Sequence, residues 1–536
     1  MTARAIMVLG TSSHVGKSLM TAALCRIFAQ QGYRVAPFKS QNMSLNSAAT
    51  VEGLEIGRAQ ALQAEAAYIA PSVHMNPILI KPLGDTSSQI VAHGKIWGRV
   101  TASDYHLRRV EELLPVVRES YETLASKYEV IVLEGAGSPA EINLKKHDIV
   151  NMRMAEIADA QCLLLGDIDR GGVFASLLGT LELLESEERR RIRGFAINKF
   201  RGDLSLLQPG LRMIEQRMQK PCLGVIPYLR LLQLEEEDSL ALSVRMQSRW
   251  PKELSSLENP DRPLRIAVVA LPSFSNFTDF DCLRAEPSVS LLFCRSAEAI
   301  AQADIVILPG SKQTANDLLW MRTENLDVAL QHYAERGLVA GICGGMQMLG
   351  DKITDPLGME HDGSIAGLRL LPIQTIMQAD KVTRNAAGLL QPKVLFGQAL
   401  AARNVFGYEI HIGRTIYQPD ASPFATLSIS GSQESIDDGC ISDDSRIFGT
   451  YLHGIFDDDS FRHQFLRSAR AFHQLDAPRE LLHWKQIRED SLDRLAHEVE
   501  EALDIEAIFG WIGLPYRRND SLRETFNRTQ PESIPQ

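Results

Sequence analysis

The chain has 536 residues, of which 45% are hydrophobic and 23% are charged, and its formal net charge is −11. This length exceeds one ordinary core and predicts roughly two to four domains of a soluble globular protein. The acidic balance argues against nucleic acid as the main partner, and no apolar stretch approaches the roughly 18 residues of a membrane span. Seven scattered cysteines without a CxxC pair, and a start that is no signal peptide, predict a cytoplasmic protein.

Short apolar runs recur along the chain, and each ends in glycine, proline or a polar turn. Such runs are typical of strands buried on both faces, and helical patterns such as residues 18–31 lie between them. This alternation predicts an α/β fold with two domains, each a mainly parallel sheet flanked by helices. The predicted strands are residues 5–9, 34–38, 130–133, 162–166, 194–197, 222–226, 265–271, 304–308, 338–341 and 447–452.

A polar, proline-punctuated stretch separates the two groups of strands. We therefore predict a first domain at residues 1–230, a linker at residues 231–263, a second domain at residues 264–510 and a polar tail at residues 511–536. Apolar residues at helical spacing within residues 481–510 predict an amphipathic helix near the end of the second domain.

A glycine loop follows the first predicted strand and precedes a helix. It reads Gly10-Thr11-Ser12-Ser13-His14-Val15-Gly16-Lys17-Ser18, with five residues between its glycines. The backbone N–H groups of such a loop hold phosphate oxygens, aided by the helix N-terminus. We predict that Gly10, Thr11 and Gly16 form the phosphate cradle, that Lys17 reaches the terminal phosphates and that Ser18 binds Mg²⁺.

The spacing of this loop resembles dethiobiotin synthetase, an enzyme that phosphorylates a carboxyl-type group before ring closure. Glu134 ends a buried strand and is followed by Gly135-Ala136-Gly137, which places its carboxylate to bind Mg²⁺. Asn198 and Lys199 end another strand, where such proteins contact adenine, although the pair alone also suits an ordinary strand end. The resemblance implies that ATP and Mg²⁺ bind in the first domain.

A second motif, Gly341-Ile342-Cys343-Gly344-Gly345, joins a predicted strand to a predicted helix. Small neighbours permit a sharp turn, and the helix N-terminus favours a thiolate. We therefore interpret Cys343 as a thiol nucleophile. The alternative, a cysteine that only fills the core, does not need glycine on both sides.

His453 ends a later strand, about 110 residues after Cys343, which resembles class I glutamine amidotransferase domains. The resemblance implies that His453 is the base and that the backbone N–H groups of Gly310 and Gly344 stabilise the oxyanion. The family has a glutamate two residues after the histidine, where this chain has Ile455. A residue that orients His453 is therefore absent or supplied elsewhere, and Glu409 is a candidate.

From about residue 4 to about residue 510 the chain resembles the cobyric acid synthase family. The resemblance implies that glutamine and ATP are used to amidate the b, d, e and g carboxylates of a corrinoid, adenosylcobyrinic acid a,c-diamide, without a tightly bound prosthetic group. Candidate acceptor-binding residues are Gln41, Asn42, Asn46 and Arg170, each of which also suits a solvated loop. The likeness is carried by residues 38–46, 55–60, 167–174, 197–203, 275–281 and 407–411.

Two alternatives stand beside this interpretation. Cobyrinic acid a,c-diamide synthase shares both domains, but its related loop carries acidic residues where this chain has Asn42 and Asn46. A partition-type ATP switch shares the phosphate loop, but such a protein has no use for Cys343 and His453. A test for glutamate release from glutamine separates the enzyme from the switch.

Overall fold

The computed structural model describes residues 3–83, 87–101, 104–105, 110–229, 233–234, 250, 259–401, 404–429 and 434–517. Most of the predicted linker and of the predicted tail lies outside these ranges. Within them, no helix combines the length and the apolar character that crossing a membrane requires. Each half contains a sheet of mainly parallel strands with helices against it, which confirms the predicted α/β fold.

The first half has twelve named strands and seven named helices in its described residues. The strands are β1 (Arg4–Gly10), β2 (Val35–Phe38), β3 (Gln41–Met43), β4 (Ser47–Ala49), β5 (Glu55–Gly57), β6 (Ile78–Pro82), β7 (Ser87–Ala92), β8 (Lys95–Thr101), β9 (Val130–Glu134), β10 (Gln161–Asp167), β11 (Ile192–Phe200) and β12 (Cys222–Pro227). The helices are α1 (Lys17–Gln30), α2 (Arg58–Ala66), α3 (Val110–Lys127), α4 (Met152–Ile157), α5 (Val173–Glu182), α6 (Ser186–Arg191) and α7 (Leu204–Met218).

Six of these strands form a parallel sheet in the order β12-β11-β10-β1-β9-β2. Their apolar residues are buried on both faces, which explains why uninterrupted apolar runs predicted them. The loop after β1 and the end of β9 lie at the same edge of the sheet, because β1 and β9 are parallel neighbours. This arrangement brings Ser18 and Glu134 together.

Two smaller sheets interrupt the first half between β2 and α3. One has the order β3-β6-β7-β8, and the other is the β4-β5 pair. These strands are short, and their alternation of polar and apolar residues does not give a long apolar run. The sequence analysis therefore did not predict them, although residues on them contact the second half of the chain.

The second half contains a six-stranded sheet in the order β14-β13-β15-β16-β26-β25, parallel except for its last pair. A second, mainly antiparallel sheet is built on β19 and β22. The strands are β13 (Leu264–Val269), β14 (Val289–Cys294), β15 (Ile305–Leu308), β16 (Leu338–Ile342), β17 (Lys352–Asp355), β18 (Gly363–Ala366), β19 (Ile373–Leu390), β20 (Val394–Leu395), β21 (Gln398–Ala399), β22 (Asn404–Tyr417), β23 (Ala425–Ile429), β24 (Ser435–Asp438), β25 (Cys440–Ile441) and β26 (Ile447–Thr450). The helices are α8 (Asp281–Ala285), α9 (Ala297–Ala301), α10 (Thr314–Thr323), α11 (Leu326–Ala334), α12 (Gly344–Leu349), α13 (Asp459–Phe472), α14 (Trp484–Ala502) and α15 (Ile505–Trp511).

The last two helices return to the first half. The apolar residues of α14 and α15 share a buried cluster with α1 and the strands of the first sheet, and Phe509 stacks on Phe28 at 4.3 Å between ring centroids. The buried guanidinium of Arg26 is 2.9 Å from the Glu489 carboxylate. The sequence analysis assigned this segment to the second domain, whereas its apolar face packs on the first. The pattern predicted the helix but not the surface that it covers.

Candidate active site

Cys343 occupies the turn between β16 and α12. Its backbone has φ 51° and ψ −109°, which is strained for a residue with a side chain, and its N–H donates to the Thr450 carbonyl at 2.7 Å. A Cβ on Gly345 would lie 2.0 Å from the Leu308 carbonyl oxygen. The glycine is therefore required for the turn to pack against the neighbouring strand.

His453 follows β26 and is 1% exposed. Its Nδ1 is 2.7 Å from Oδ2 of Asp279, and the other carboxylate oxygen accepts the Gly454 N–H at 3.1 Å. The ring also stacks on Tyr408, with the centroids 5.4 Å apart. Burial favours the neutral imidazole, but the Asp279 carboxylate and then Cys343 hold the pKa of His453 well above its usual value.

Asp279 therefore takes the place that the sequence analysis offered to Glu409. The Glu409 carboxylate instead accepts from Arg384 Nε, and its other oxygen is 3.4 Å from His411 Nε2. On β22, Glu409 and His411 point to the same face of the strand and pair with each other. The structure thus contradicts the suggestion that Glu409 orients His453. Asp279 lies within residues 275–281, which the sequence analysis used only for family likeness.

The loop after β15 lies against the same histidine. A Cβ on Gly310 would be 2.8 Å from His453 Cε1, and a Cβ on Gly344 would be 2.9 Å from the Ser311 backbone nitrogen. Gly344 is the first residue of α12, so its N–H has no acceptor within the helix. The geometry brings Gly310 to the ring of His453 and Gly344 to the loop after β15, and the oxyanion role of both glycines stays a prediction.

The phosphate loop joins β1 to α1 as the sequence analysis expected. Gly10 cannot carry a side chain, since its Cβ would lie 2.5 Å from Val15, and Gly16 has φ 99°. The Thr11 N–H donates to the Leu165 carbonyl at 3.0 Å. The Lys17 ammonium donates to two backbone carbonyls, Ser12 at 2.9 Å and Gly137 at 3.0 Å. Lys17 thus points across the loop where phosphates would lie.

Glu134 collects several partners at the end of β9. The Ser18 hydroxyl donates to it at 2.7 Å, and the Lys39 ammonium donates to the same oxygen at 2.8 Å. Gln63, on α2, donates to the other oxygen at 2.6 Å. A hydroxyl beside a carboxylate is an oxygen donor set that suits Mg²⁺. The sequence analysis did not identify Lys39 or Gln63, which become neighbours of Glu134 only through the fold.

Asn198 and Lys199 lie at the end of β11, beside the phosphate loop. Asn198 Nδ2 donates to the Val15 carbonyl at 2.8 Å, and Lys199 Nζ is 2.9 Å from Asp167 Oδ2. Both side chains donate to carbonyls of the phosphate loop, Asn198 to Val15 and Lys199 to His14. Their predicted contact with adenine stays a prediction.

The candidate acceptor residues fall into two places. Gln41 accepts from the Tyr105 hydroxyl, while Asn42 donates to Gln60 Oε1 at 3.0 Å and is 3% exposed. Asn46 is also buried, and its Oδ1 accepts the Phe277 N–H at 3.2 Å. Arg170 is exposed after β10. Gln41 and Asn42 therefore bond within the first half, Asn46 bonds to the second, and the acceptor role of all four residues stays a prediction.

A cavity of about 490 Å³ lies between the halves. One wall includes Tyr408, whose ring stacks on His453. Another is α2, which carries Gln63 toward Glu134. Two guanidinium groups, Arg58 and Arg488, also line the cavity. The cavity thus borders the surroundings of both sites, and sequence reasoning did not find it because its residues come from four separate segments, at residues 48–71, 385, 408 and 488–489.

Known proteins resemble this chain over both halves. Residues 6–240 match the CobQ/CobB/MinD/ParA nucleotide binding domain, and residues 265–461 match the CobB/CobQ-like glutamine amidotransferase domain. A cobyric acid synthase from Moorella thermoacetica is 48% identical, over 96% of this chain and 98% of that protein. Those from Clostridium botulinum (strain Loch Maree) and Clostridium acetobutylicum are 46% and 44% identical, each over 95% of this chain and 99% of the relative.

Proposed function

The chain belongs to the cobyric acid synthase family, and from that premise we propose how its two sites divide one reaction. The protein is a glutamine-hydrolysing carbon–nitrogen ligase that amidates side-chain carboxylates of a cobyrinic acid in cobalamin biosynthesis. We assign ammonia release to the Cys343 site and carboxylate activation to the phosphate loop. The observation that carries this division is a buried thiol–imidazole–carboxylate set in one half and a lysine-bearing phosphate loop in the other.

The thiol half supports a glutaminase mechanism. The sulfur of Cys343 attacks the side-chain amide carbon of glutamine, while the N–H groups of Gly344 and Gly310 stabilise the oxyanion. His453, oriented by Asp279, takes the thiol proton and gives it to the departing ammonia. Water then hydrolyses the thioester, which releases glutamate and restores the thiol.

The phosphate half supports ATP as the activating substrate. In this proposal Lys17 contacts the terminal phosphates, and Ser18 and Glu134, which are 2.7 Å apart, are the protein's oxygen ligands for Mg²⁺. In the described part of the chain no group of three or more His, Cys, Asp or Glu could hold a metal ion, so phosphate oxygens and water would supply the remaining ligands. Bound Mg²⁺ would offset the negative charge of the phosphates.

We assign activation to an acyl phosphate. A carboxylate is a poor electrophile because attack adds charge to an anion. Its oxygen therefore attacks the γ-phosphorus of ATP, a C–O–P linkage forms, and ADP leaves. Ammonia then attacks the carbonyl carbon, and inorganic phosphate leaves with the former carboxylate oxygen. Lys17 stabilises the charge on the phosphoryl group during transfer.

The acceptor in this proposal is adenosylcobyrinic acid a,c-diamide, whose b, d, e and g carboxylates are converted to amides in the cytoplasm. The cavity between the halves supports it, since the cavity is near both sites and is lined by polar groups of both signs, with Arg58 3.6 Å from Asp457 and Arg488 paired with Glu65. The similarity to cobyric acid synthases supports this acceptor over cobyrinic acid and over a partition-type switch, neither of which has comparable support.

The direct test supplies the protein with glutamine, Mg²⁺, ATP and either adenosylcobyrinic acid a,c-diamide or cobyrinic acid, and follows product masses. We expect four successive carboxylate-to-amide conversions with the diamide, together with one glutamate and one ADP for each. Amidation confined to the a and c positions of cobyrinic acid would identify the alternative synthase. ATP turnover without glutamate release would identify the switch.

An isotopic test examines the intermediate. Acceptor labelled with ¹⁸O in its carboxylates should pass one label to inorganic phosphate for each amide formed. Label in AMP, with release of pyrophosphate, would mean that the carboxylate is adenylated and would overturn the acyl phosphate.

A further inference from the structure

Two loops complete the glutaminase site around Cys343. One is the turn at residues 275–281, which carries Asp279 to His453. The other is the loop at residues 309–313, which carries Gly310 against the same ring. The loops meet, because the Ser275 N–H donates to the Gly310 carbonyl at 3.0 Å. A shift of either loop would therefore move a group that acts on the thiol or on its base.

The turn that carries Asp279 is held from the first half of the chain. The Ser47 backbone N–H donates to Asn276 Oδ1 at 2.9 Å, and the Phe277 N–H donates to Asn46 Oδ1 at 3.2 Å. Asn46 and Asn276 are 2% and 4% exposed. These reciprocal bonds fix two consecutive residues of the turn just before Asp279, and both are shielded from competing water.

The loop that carries Gly310 is held by the β6-β7 hairpin. The Lys312 ammonium donates to Gln89 Oε1 at 2.7 Å, and Gln313 Nε2 donates to the Leu83 carbonyl at 2.8 Å. Lys312 is partly buried, and this burial together with the nearby charges of Lys381 and Lys81 lowers its pKa. A partly desolvated lysine depends on each acceptor that it reaches, so the bond that Lys312 donates to Gln89 constrains the loop.

We propose that the first half of the chain completes the glutaminase site, with Gln89 and Asn46 as positioning residues that act through Lys312 and through the turn that carries Asp279. This inference rests on the proposed function, in which Cys343 hydrolyses glutamine. It adds that the thiol site reaches its active geometry only when the small sheets of the first half are docked on it. Glutamine consumption is thereby tied to the half that binds the acceptor.

The same segment of the first half also reaches the phosphate site. Asn42 donates to Gln60 at 3.0 Å, and Gln60 Nε2 is 3.5 Å from Glu134 Oε2. Residues 42–47 thus contact groups that belong to both sites. If substrates that bind in the first half shift this segment, the turn that carries Asp279 would move with it.

The first test uses paired variants of Gln89, which belongs to neither the thiol site nor the phosphate site. Gln89→Leu removes the acceptor for Lys312, while Gln89→Glu keeps an acceptor oxygen, and Gln216→Leu alters an exposed glutamine of α7 as a control. A loop displaced by a fraction of an ångström should lower kcat for glutamine-driven amidation by about tenfold or more in Gln89→Leu. We expect little change in KM for glutamine, and ammonia-driven amidation within about twofold of wild type.

The second test separates the side chain of Asn276 from its backbone. Asn276 has φ 54°, a conformation open to glycine, so Asn276→Gly removes the carboxamide without backbone strain. Asn276→Asp retains the acceptor for the Ser47 N–H. We expect Asn276→Gly to slow glutamine-driven amidation and alkylation of Cys343 together, and Asn276→Asp to recover most of both rates.

Either of two results would overturn the inference. Glutamine-driven turnover could stay at the wild-type rate in Gln89→Leu and Asn276→Gly, or it could fall in parallel with ammonia-driven turnover. A kcat for glutamine-driven amidation that is no higher in Gln89→Glu than in Gln89→Leu counts equally against it. Cys343→Ala distinguishes this failure from failure of the proposed function: retained glutamine use in that variant refutes the glutaminase assignment itself, whatever Gln89 does.

Discussion

The thiol site and the phosphate site differ in how their polar groups are paired before any substrate binds. At the thiol site, backbone strain at Cys343 and the bond from His453 to Asp279 already form a geometry that can attack an amide. At the phosphate site, Lys17 donates to loop carbonyls and Glu134 accepts from Lys39 and Gln63. A substrate that binds at the phosphate site must therefore replace hydrogen bonds that these side chains make within the protein.

The two sites therefore differ in how far their function requires a fixed geometry. A nucleophile gains from a fixed position, since misplacement by about one ångström is costly to catalysis. A phosphate loop gains from exchangeable partners, because a lysine left without acceptors in a buried site would carry a large desolvation cost. The thiol half therefore depends on neighbouring protein for its accuracy, whereas the phosphate half depends on its ligands.

The largest expected effect is at the thiol. Cys343→Ala should lower glutamine-driven amidation by about 10³-fold or more, because the covalent intermediate has no other nucleophile. Ammonia-driven amidation should survive, since the phosphate half does not use the sulfur. Product formation at high glutamine and at high free ammonia measures the two rates. Equal loss with both nitrogen sources would break the proposed division between the halves.

The next effect is at the phosphate loop. Lys17→Ala should lower amidation with either nitrogen source by about 10²- to 10³-fold, because a charge-assisted contact to the transferring phosphoryl group is lost. Glutamate release without acceptor should persist in this variant. ADP formation provides the measurement. An unchanged rate of ATP turnover would remove Lys17 from the site.

The sequence predicted the parts of the molecule that depend on local pattern. Apolar runs located the strands of both parallel sheets, and glycine spacing located the phosphate loop and the turn at Cys343. Asp279 could not be found in this way, because it meets His453 only after 174 residues of chain have folded. The candidate Glu409 was wrong for the same reason, because sequence pattern does not show which carboxylate faces the ring and Glu409 pairs with Arg384 and His411 instead.

The contacts between the halves were also beyond sequence pattern. Gln89 and Lys312 are ordinary polar residues until a fold buries them against each other. The helix at residues 484–502 was predictable from its apolar spacing, but that spacing does not specify which of two sheets it covers. Contacts between the halves depend on tertiary packing, which neither secondary-structure propensity nor residue spacing predicts.

Asp279→Asn tests how far the thiol site depends on its neighbours. The carboxylate stabilises the imidazolium of His453, so its removal should lower the pKa of that ring and slow glutamine hydrolysis by about tenfold to hundredfold. The titration midpoint of the His453 ring, followed by NMR, should move to lower pH, because the imidazolium loses a negatively charged partner. Glu409→Gln is the matched control and should leave that midpoint in place. The same shift in both variants would contradict the assignment of Asp279.

The smallest expected effect concerns the buried carboxyl of Asp438, which lies beneath the strand that leads to His453. It accepts from the Thr450 hydroxyl and, at 3.0 Å, from the Tyr451 N–H. Burial, and then the nearby charge of Glu409, raise the pKa of Asp438 to about 7. The folded protein thus keeps a proton that the unfolded chain releases above a pH of about 4, and the free energy of unfolding should fall as pH rises through this window.

Asp438→Asn removes that titration but keeps a side-chain oxygen as acceptor. Between about pH 5 and about pH 7 the free energy of unfolding should therefore fall less steeply in the variant than in wild type, and the two slopes should differ by about 1 kcal/mol per pH unit. Urea unfolding at several pH values measures the slope, and Asp437→Asn, at the adjacent exposed position, should keep the wild-type slope. Hydrogen exchange should locate the effect in β24 and β26 rather than in β1 and β9, because the carboxyl bonds only to the thiol half. Identical slopes in wild type and Asp438→Asn would mean that the carboxyl is ionised throughout, and the dependence of the thiol half on its buried neighbours would then rest on His453 and Asp279 alone.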